Sequence, residues 1–270
     1  MSQDSEHISK KTVVYRIEGM DDVRVRRDVA YETSGAETLT LDVYYPPGAF
    51  EGARVPAVVF VAGFPDAGYE VKLGCKFKEM AATVSWARLT AATGLAAITY
   101  TNREPANGLD ALLRYVREHA AQLGIDERRI GLWAGSGNVP LALSALMREG
   151  SGRVKCAVLC YGFMLDLDGA MQVAEASKMW GFVNPCAEKS IADLPPDVPL
   201  FIARAGRDQI PHLNETLDRF VTQALKRNLP LTFVNHAAAP HAFDLSEDSE
   251  TSREMIRQIL AFMRFHLAAG

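Results

Sequence analysis

The stretch Ile-Gly-Leu-Trp-Ala-Gly-Ser-Gly-Asn (130–138) joins a short apolar run to an apolar segment that has helical spacing. The run before the serine is short enough to be a buried strand, and residues 139–149 are predicted to form a helix. Ser136 lies between them with a glycine on each side. A sharp strand-to-helix turn needs such small neighbours, because it holds its central residue in a strained backbone conformation. The stretch therefore predicts strand, turn and helix, with the Ser136 hydroxyl projecting above the end of a sheet.

Short apolar runs, each followed by a helix-like segment, recur on both sides of this turn. The strand candidates are 57–62, 95–100, 130–134, 156–161, 199–203 and 231–235, and the helix candidates are 78–93, 108–123, 138–149, 211–228 and 249–267. This alternation predicts a mostly parallel central sheet with helices on both faces. Residues 12–17, 23–32 and 38–45 alternate or run in β-formers, which predicts two or three antiparallel strands at the N-terminal end.

The length of the chain, 270 residues, suits one large α/β domain. We expect a flexible polar tail over residues 1–11 and a single domain over residues 12–270. Residues 162–197 interrupt the alternation with several glycines and prolines. Such a long segment between strands is usually a lid or a binding element, so Trp180 and Phe182 within it are candidate substrate-binding residues. An ordinary helix and loop packed on the sheet is the alternative interpretation of 162–197.

Charge and composition disfavour several classes of protein. The formal net charge is −4, which argues against a nucleic-acid partner. No window of 18 apolar residues exists, so we expect no membrane span. The polar N-terminus lacks the apolar core of a secretory signal. The four cysteines show no C-x-x-C pair, which favours free, core-filling thiols in a reducing compartment and hence a cytoplasmic protein.

The serine turn resembles a known motif. Gly-Leu-Trp-Ala-Gly-Ser-Gly-Asn is similar to the G-x-S-x-G nucleophile elbow of α/β-hydrolases, except that Ala134 and Asn138 replace the outer glycines. The resemblance implies the α/β-hydrolase fold, with Ser136 as the nucleophile. The N–H group of Gly137, at the start of the next helix, is the natural first donor to an oxyanion.

A serine nucleophile needs a base, and the base needs an acid to orient it. Pro-His-Ala-Phe (240–243) resembles a segment of the dienelactone hydrolase-like branch of this superfamily, which implies that His241 is the base. His236 is the alternative. His7 lies in the expected tail, and the other histidines lie in or at the start of predicted helices.

The acid is expected after the strand predicted at 199–203. The stretch 201–211, with its Gly-x-Asp turn and following proline, resembles the family's acid loop and implies that Asp208 orients the base. Asp166 and Asp168 are the alternatives. The order Ser136, Asp208, His241 is the one found in α/β-hydrolases.

The loop after the third strand is expected to supply a second oxyanion donor. Val-Ala-Gly-Phe-Pro-Asp-Ala-Gly (61–68) takes the place of the family's His-Gly loop, with Ala62 in place of the histidine. By resemblance, the Phe64 N–H is that donor, and the ring of Phe64 is suited to wall the acyl pocket.

These residues together predict hydrolysis of a small carboxylic ester or lactone through an acyl-serine intermediate. No cofactor is required, and no metal site is expected, because no ligand spacing such as H-E-x-x-H occurs. An acyltransferase or peptidase with the same triad is an alternative, as is a non-catalytic ligand-binding module on the same scaffold. The expected partner is a small-molecule ester, and a homodimer is one option for the assembly.

Overall fold

The computed structural model describes residues 8–34, 37–49, 52–149 and 153–268. Most of residues 1–11, including His7, therefore lie outside the described residues. The strands are β1 (Arg24–Ser34), β2 (Glu37–Tyr45), β3 (Val55–Phe60), β4 (Ala96–Tyr100), β5 (Ile125–Gly135), β6 (Cys156–Cys160), β7 (Leu200–Ala205) and β8 (Leu231–His236). The helices are α1 (Asp66–Leu73), α2 (Ala81–Ala92), α3 (Pro105–Glu118), α4 (Ala120–Leu123), α5 (Val139–Glu149), α6 (Gln172–Trp180), α7 (Leu213–Lys226), α8 (Phe243–Ser246) and α9 (Glu250–Ala268).

The eight strands of the described residues form one sheet in the order β1-β2-β4-β3-β5-β6-β7-β8. Strand β2 is antiparallel to both of its neighbours, and every pair from β4 to β8 is parallel. Strands β4 and β6 are buried along their whole length, which explains why their sequences are continuous apolar runs rather than alternating ones. The mostly parallel sheet with antiparallel N-terminal strands is the predicted architecture.

Helices cover both faces of the sheet. On one face of β5, Trp133 packs against Trp86 of α2 with ring centroids 5.2 Å apart. Gly131 points to the same face, and a Cβ atom there would lie 3.2 Å from Leu267 of α9. Successive residues of a strand point to opposite faces, so α2 and α9 share one layer. A single large cluster of buried side chains runs through the sheet, and a small second cluster lies at residues 163–182 and 213.

Several predicted elements differ from the structure. Residues 12–17 are not a strand, although Val13 is buried; the Val13 N–H donates to Ser85 Oγ (3.0 Å) and the Val14 N–H to the carbonyl of Asp244 (2.8 Å). This segment is bonded to α2 and α8 instead of to a sheet edge. The helix predicted at 108–123 is two helices that meet at His119, and α1 was not predicted; α6 lies within 162–197, where a helix and loop is the alternative interpretation.

Both the segment expected to be a tail and the 162–197 segment contain short regular elements. Residues Ile8–Lys10 form a 3-10 turn. Within 162–197, α6 is followed by a 3-10 turn at Ile191–Asp193. Across the described ranges, we find no helix that is both long and apolar enough to cross a membrane.

Candidate active site

Ser136 lies at the sharp turn between β5 and α5, as the first residue of a 3-10 turn, Ser136–Asn138. Its φ of +56° is in the left-handed region, which is strained for a residue with a side chain. Gly135 and Gly137 on either side allow this turn, because a side chain at either position would crowd a neighbouring ring. A Cβ at Gly135 would lie 3.2 Å from the Trp133 ring, and one at Gly137 would lie 2.8 Å from the Phe182 ring. The local sequence therefore fits a tight turn that projects the Ser136 hydroxyl beyond the carboxyl end of β5.

The structure brings three of the predicted site residues into one hydrogen-bonded series. His241 Nε2 lies 2.9 Å from Ser136 Oγ, and His241 Nδ1 lies 2.6 Å from Asp208 Oδ2. The Asp208 side chain is completely buried, whereas a quarter of the His241 side chain is exposed. Such an arrangement allows the imidazole to take a proton from the serine while the carboxylate fixes its orientation.

Two loops position the acid and the base. Asp208 follows β7, and its Oδ1 accepts a hydrogen bond from the Ile210 N–H (3.0 Å). The Arg207 N–H donates to the carbonyl of Ala239 in the loop that carries His241 (2.8 Å). Gly206 allows the two loops to approach, because a Cβ at this position would lie 2.5 Å from the Ala237 carbonyl oxygen. The distance between acid and base is therefore fixed by backbone contacts.

The alternative acids and base lie elsewhere. Both oxygens of Asp166 accept N–H groups at the start of α6, from Val173 (2.8 Å) and Ala174 (2.9 Å). Asp168 accepts a hydrogen bond from Gln223 (2.8 Å). His236 is buried, with Nε2 3.2 Å from Ser252 Oγ. Each of these side chains thus has a partner away from Ser136.

The loop after β3 is fastened to the serine turn by Asn138. The Gly63 N–H donates to Asn138 Oδ1 (2.7 Å), and the hydroxyl of Tyr69 donates to the same oxygen (3.0 Å). A Cβ at Gly63 would lie 2.8 Å from Asn138 Cα, so only glycine permits this approach. The next carbonyl, that of Phe64, accepts a hydrogen bond from the Asn102 side chain (3.2 Å). Since the Gly63 N–H is used internally, the Phe64 N–H is the next amide of this loop that can face a ligand.

A cavity of about 420 Å³ opens beside Ser136 and His241. Eight aromatic side chains line it, among them Phe60, Phe77, Trp86 and Trp133. Of the two residues predicted to bind substrate, Trp180 lines this cavity and is half exposed. Phe182 does not line it; its ring is buried against Phe163, with centroids 5.4 Å apart. The Phe182 ring also packs on Gly137 of the serine turn and lies edge-on to Phe64, with centroids 6.0 Å apart.

The cavity wall contains a buried carboxylate, Asp244, that was not predicted from the sequence. Asp244 accepts hydrogen bonds from Trp86 Nε1 (2.6 Å) and from the Tyr161 hydroxyl (2.7 Å). Burial raises the pKa of Asp244 above its usual value, and it raises the pKa of the Tyr161 hydroxyl as well. The Tyr161 ring packs edge-on against His241, with centroids 5.1 Å apart. No local motif marks Asp244, because its partners Trp86 and Tyr161 lie far from it in the sequence.

The structure also bears on metal binding. No cluster of three or more histidine, cysteine, aspartate or glutamate side chains suited to a metal ion occurs within residues 8–34, 37–49, 52–149 and 153–268. Cys156, Cys160 and Cys186 are buried free thiols, and Cys75 is a partly exposed one.

Comparison with known proteins identifies the fold. No protein-family model matches the chain, and no curated protein sequence matches it. Among solved structures, esterase 2 from the Planctomycetes species Thermogutta terrifontis is similar, with a TM-score of 0.66 and 20% identity over 93% of this chain and 96% of that one. A bacterial heroin esterase is similar with a TM-score of 0.67 and 18% identity, over 92% of this chain and 86% of that one. The chain has the α/β-hydrolase fold, as predicted.

Proposed function

We propose that this protein is a serine hydrolase that cleaves a small carboxylic ester through an acyl-serine intermediate. The proposal depends above all on the series Asp208–His241–Ser136, with heavy-atom distances of 2.6 and 2.9 Å. The similar structures give it further support. Those of Thermogutta terrifontis esterase 2 include forms phosphonylated by sarin and phosphorylated by paraoxon.

The geometry suits the following reaction. Ser136 Oγ attacks the ester carbonyl carbon while His241 Nε2 takes the hydroxyl proton, and Asp208 stabilises the resulting imidazolium. The negative charge on the carbonyl oxygen is held by the N–H groups of Gly137 and Phe64. His241 then donates the proton to the departing alcohol, which leaves an acyl group on Ser136. A water molecule, deprotonated by His241, releases the carboxylic acid and restores the serine.

Ser136→Ala is the direct test of the proposal. The variant should hydrolyse 4-nitrophenyl acetate roughly 10⁴-fold more slowly or worse, because it lacks the nucleophile. Ser177→Ala is the matched control, since the Ser177 hydroxyl bonds within α6 to the Ala174 carbonyl. Equal rates for wild type and Ser136→Ala would overturn the assignment.

Two further measurements separate the alternatives. A fluorophosphonate probe should label Ser136, as identified by mass spectrometry, and a chain that is a non-catalytic binding module would not be labelled. Comparing water with alcohol and amine acceptors separates a hydrolase from an acyltransferase, and an amide substrate tests for a peptidase.

A lactone is an internal ester that would pass through the same steps. A cytoplasmic location and a homodimer stay predictions from the sequence.

A further inference from the structure

The cavity beside Ser136 is lined mainly by aromatic and aliphatic side chains. Its two charged side chains apart from His241 are Lys72 and Asp244. The Lys72 ammonium donates to the carbonyl of Trp180 and lies 5.6 Å from the centre of the Phe64 ring. Both oxygens of Asp244 are already bonded to Trp86 and Tyr161. Recognition of a substrate here thus depends on apolar contact.

The same apolar character continues onto the surface. Lys72, near the end of α1, is bonded to Trp180 at the end of α6, and the neighbouring Val71 and Met179 are 87% and 74% exposed. Ile8, at 44% exposure, lines the cavity together with Trp180. We define the apolar rim as Ile8, Val71, Met179 and Trp180. Ile8 and Trp180 line the cavity, and Val71 and Met179 are the sequence neighbours of Lys72 and Trp180. Four of the eight large apolar side chains that are exposed in the described part of the chain are therefore cavity-lining residues or next to one in the sequence.

We propose that the substrate is an ester with a bulky apolar group, an alkyl chain or an aromatic ring, that fills this cavity and extends toward the apolar rim. The inference rests on the proposed esterase function and specifies its substrate class. A site of about 420 Å³ is far larger than an acetyl group needs, and it lies within the size range of small-molecule sites. Burying more of the apolar group stabilises the bound ester because that surface leaves water.

The test compares two series of esters on the wild-type protein. One series is 4-nitrophenyl esters from acetate to decanoate, and the other is alkyl acetates from methyl to hexyl. In at least one series kcat/KM should rise by up to about fourfold for each methylene that the cavity buries, and then level off once it is full. The series that responds identifies the side of the ester that occupies the cavity. A flat response in both series overturns the proposal, and so does a rise that begins only when the ester forms micelles.

Leu73→Trp tests the cavity itself. Leu73 lines it at the end of α1, so the larger ring should lower kcat/KM for hexanoate at least about tenfold relative to acetate, the equivalent of losing roughly two buried methylenes. Leu225→Trp is the matched control, because Leu225 is exposed on α7 and does not line the cavity.

Trp180→Ala should weaken hexanoate turnover selectively, whereas Phe265→Ala, which removes an exposed ring on α9, should not. Equal effects on acetate and hexanoate would contradict the inference.

Failure of this inference can be told apart from failure of the proposed function. Acetate hydrolysis that depends on Ser136, combined with flat ester series, would leave the hydrolase intact and overturn only the apolar pocket. If no ester is turned over, binding of 4-nitrophenyl hexyl ether, followed by quenching of tryptophan fluorescence, tests the pocket alone. Trp86, Trp133 and Trp180 all line it, so a bound nitrophenyl group should quench them, and Leu73→Trp should weaken the binding. Absence of saturable quenching in the wild type would then overturn the pocket too.

Discussion

Asn138 replaces a glycine of the elbow motif, and its amide oxygen accepts hydrogen bonds from the Gly63 N–H and the Tyr69 hydroxyl. The substitution looks unfavourable in the sequence because a tight turn prefers a small residue there. In the structure it joins the turn that carries the proposed nucleophile to the loop that carries Phe64. Asn138 is therefore expected to position the proposed oxyanion donors without touching the reacting atoms.

Asn138→Ala should show whether Asn138 positions the proposed oxyanion donors, which affects kcat more than KM. It leaves the Gly63 N–H and the Tyr69 hydroxyl without their acceptor, which should lower the free energy of unfolding by about 1–3 kcal/mol. Displacement of the Phe64 amide should also lower kcat, by up to about 10²-fold, with a smaller change in KM. The measurement is kcat and KM for 4-nitrophenyl acetate beside a urea unfolding curve.

Tyr69→Phe is the control for Asn138, because it removes one of the two donors and keeps the bond from Gly63. We expect nearly full kcat from this variant. If Asn138→Ala loses stability but keeps wild-type kcat when folded, Asn138 has a structural role only.

Strands and helices were predictable where the features that determine them are local in the sequence. Strands β4 and β6 were predictable because complete burial demands continuous apolar runs. Residues 12–17 also consist largely of β-forming residues but are not a strand, because a strand also needs a hydrogen-bonding neighbour, which only the tertiary structure supplies. Helix α1 has no clear apolar stripe and contains Gly68, so its periodicity gave no signal.

In the candidate site, too, residues that carry a local motif were predictable and residues that depend on distant partners were not. Ser136, Asp208 and His241 each follow a strand and carry a recognisable local motif, so the sequence suffices to propose them. Asn102 and Asp244 could not be found in this way, since their roles depend on Phe64 and Trp86, which are remote in the chain. Phe182 is a candidate substrate-binding residue because of its segment, yet its ring is buried against Gly137 and Phe163, since which side an aromatic ring faces is decided by the packing around it.

Asp66, the first residue of α1, provides a test at the element scale. Its carboxylate accepts hydrogen bonds from the Asn102 N–H (2.8 Å) and the Phe77 N–H (3.4 Å), but burial outweighs these bonds and raises its pKa to about 6. A raised pKa in the folded state means that the folded protein binds this proton more tightly than the unfolded chain. The stability due to Asp66 is thus fully present below about pH 4 and is lost as the pH rises to about 6.

Asp66→Asn should remove this loss of stability at higher pH. The difference in unfolding free energy, variant minus wild type, should grow by up to about 3 kcal/mol between pH 4 and pH 7, since one pKa unit corresponds to about 1.4 kcal/mol. Urea unfolding at both pH values measures it. Asp21→Asn is the control, because the Asp21 side chain is 87% exposed. A difference that is the same at both pH values would show that burial of Asp66 does not perturb its ionisation.

At the scale of the whole molecule, the carboxyl edge of the sheet carries the proposed site. The loops after β5, β7 and β8 bring Ser136, Asp208 and His241 to this edge, as expected for an open α/β sheet. The segment 162–197 crosses the same edge and is bonded to it. The Val183 N–H donates to the Gly63 carbonyl (2.8 Å), which links this segment to the loop after β3.

We therefore predict that the 162–197 segment unfolds together with the sheet in one transition. Phe182→Ala tests this, because its ring packs on Gly137 and inside the second buried cluster. The variant should lose about 3–5 kcal/mol of unfolding free energy, typical of a buried phenylalanine, and its calorimetric transition should shift to lower temperature without splitting. Trp180→Ala, which removes a half-exposed ring from the same segment, should shift it far less. A separate low-temperature transition in Phe182→Ala, with the main transition unmoved, would instead identify 162–197 as an independently folding lid.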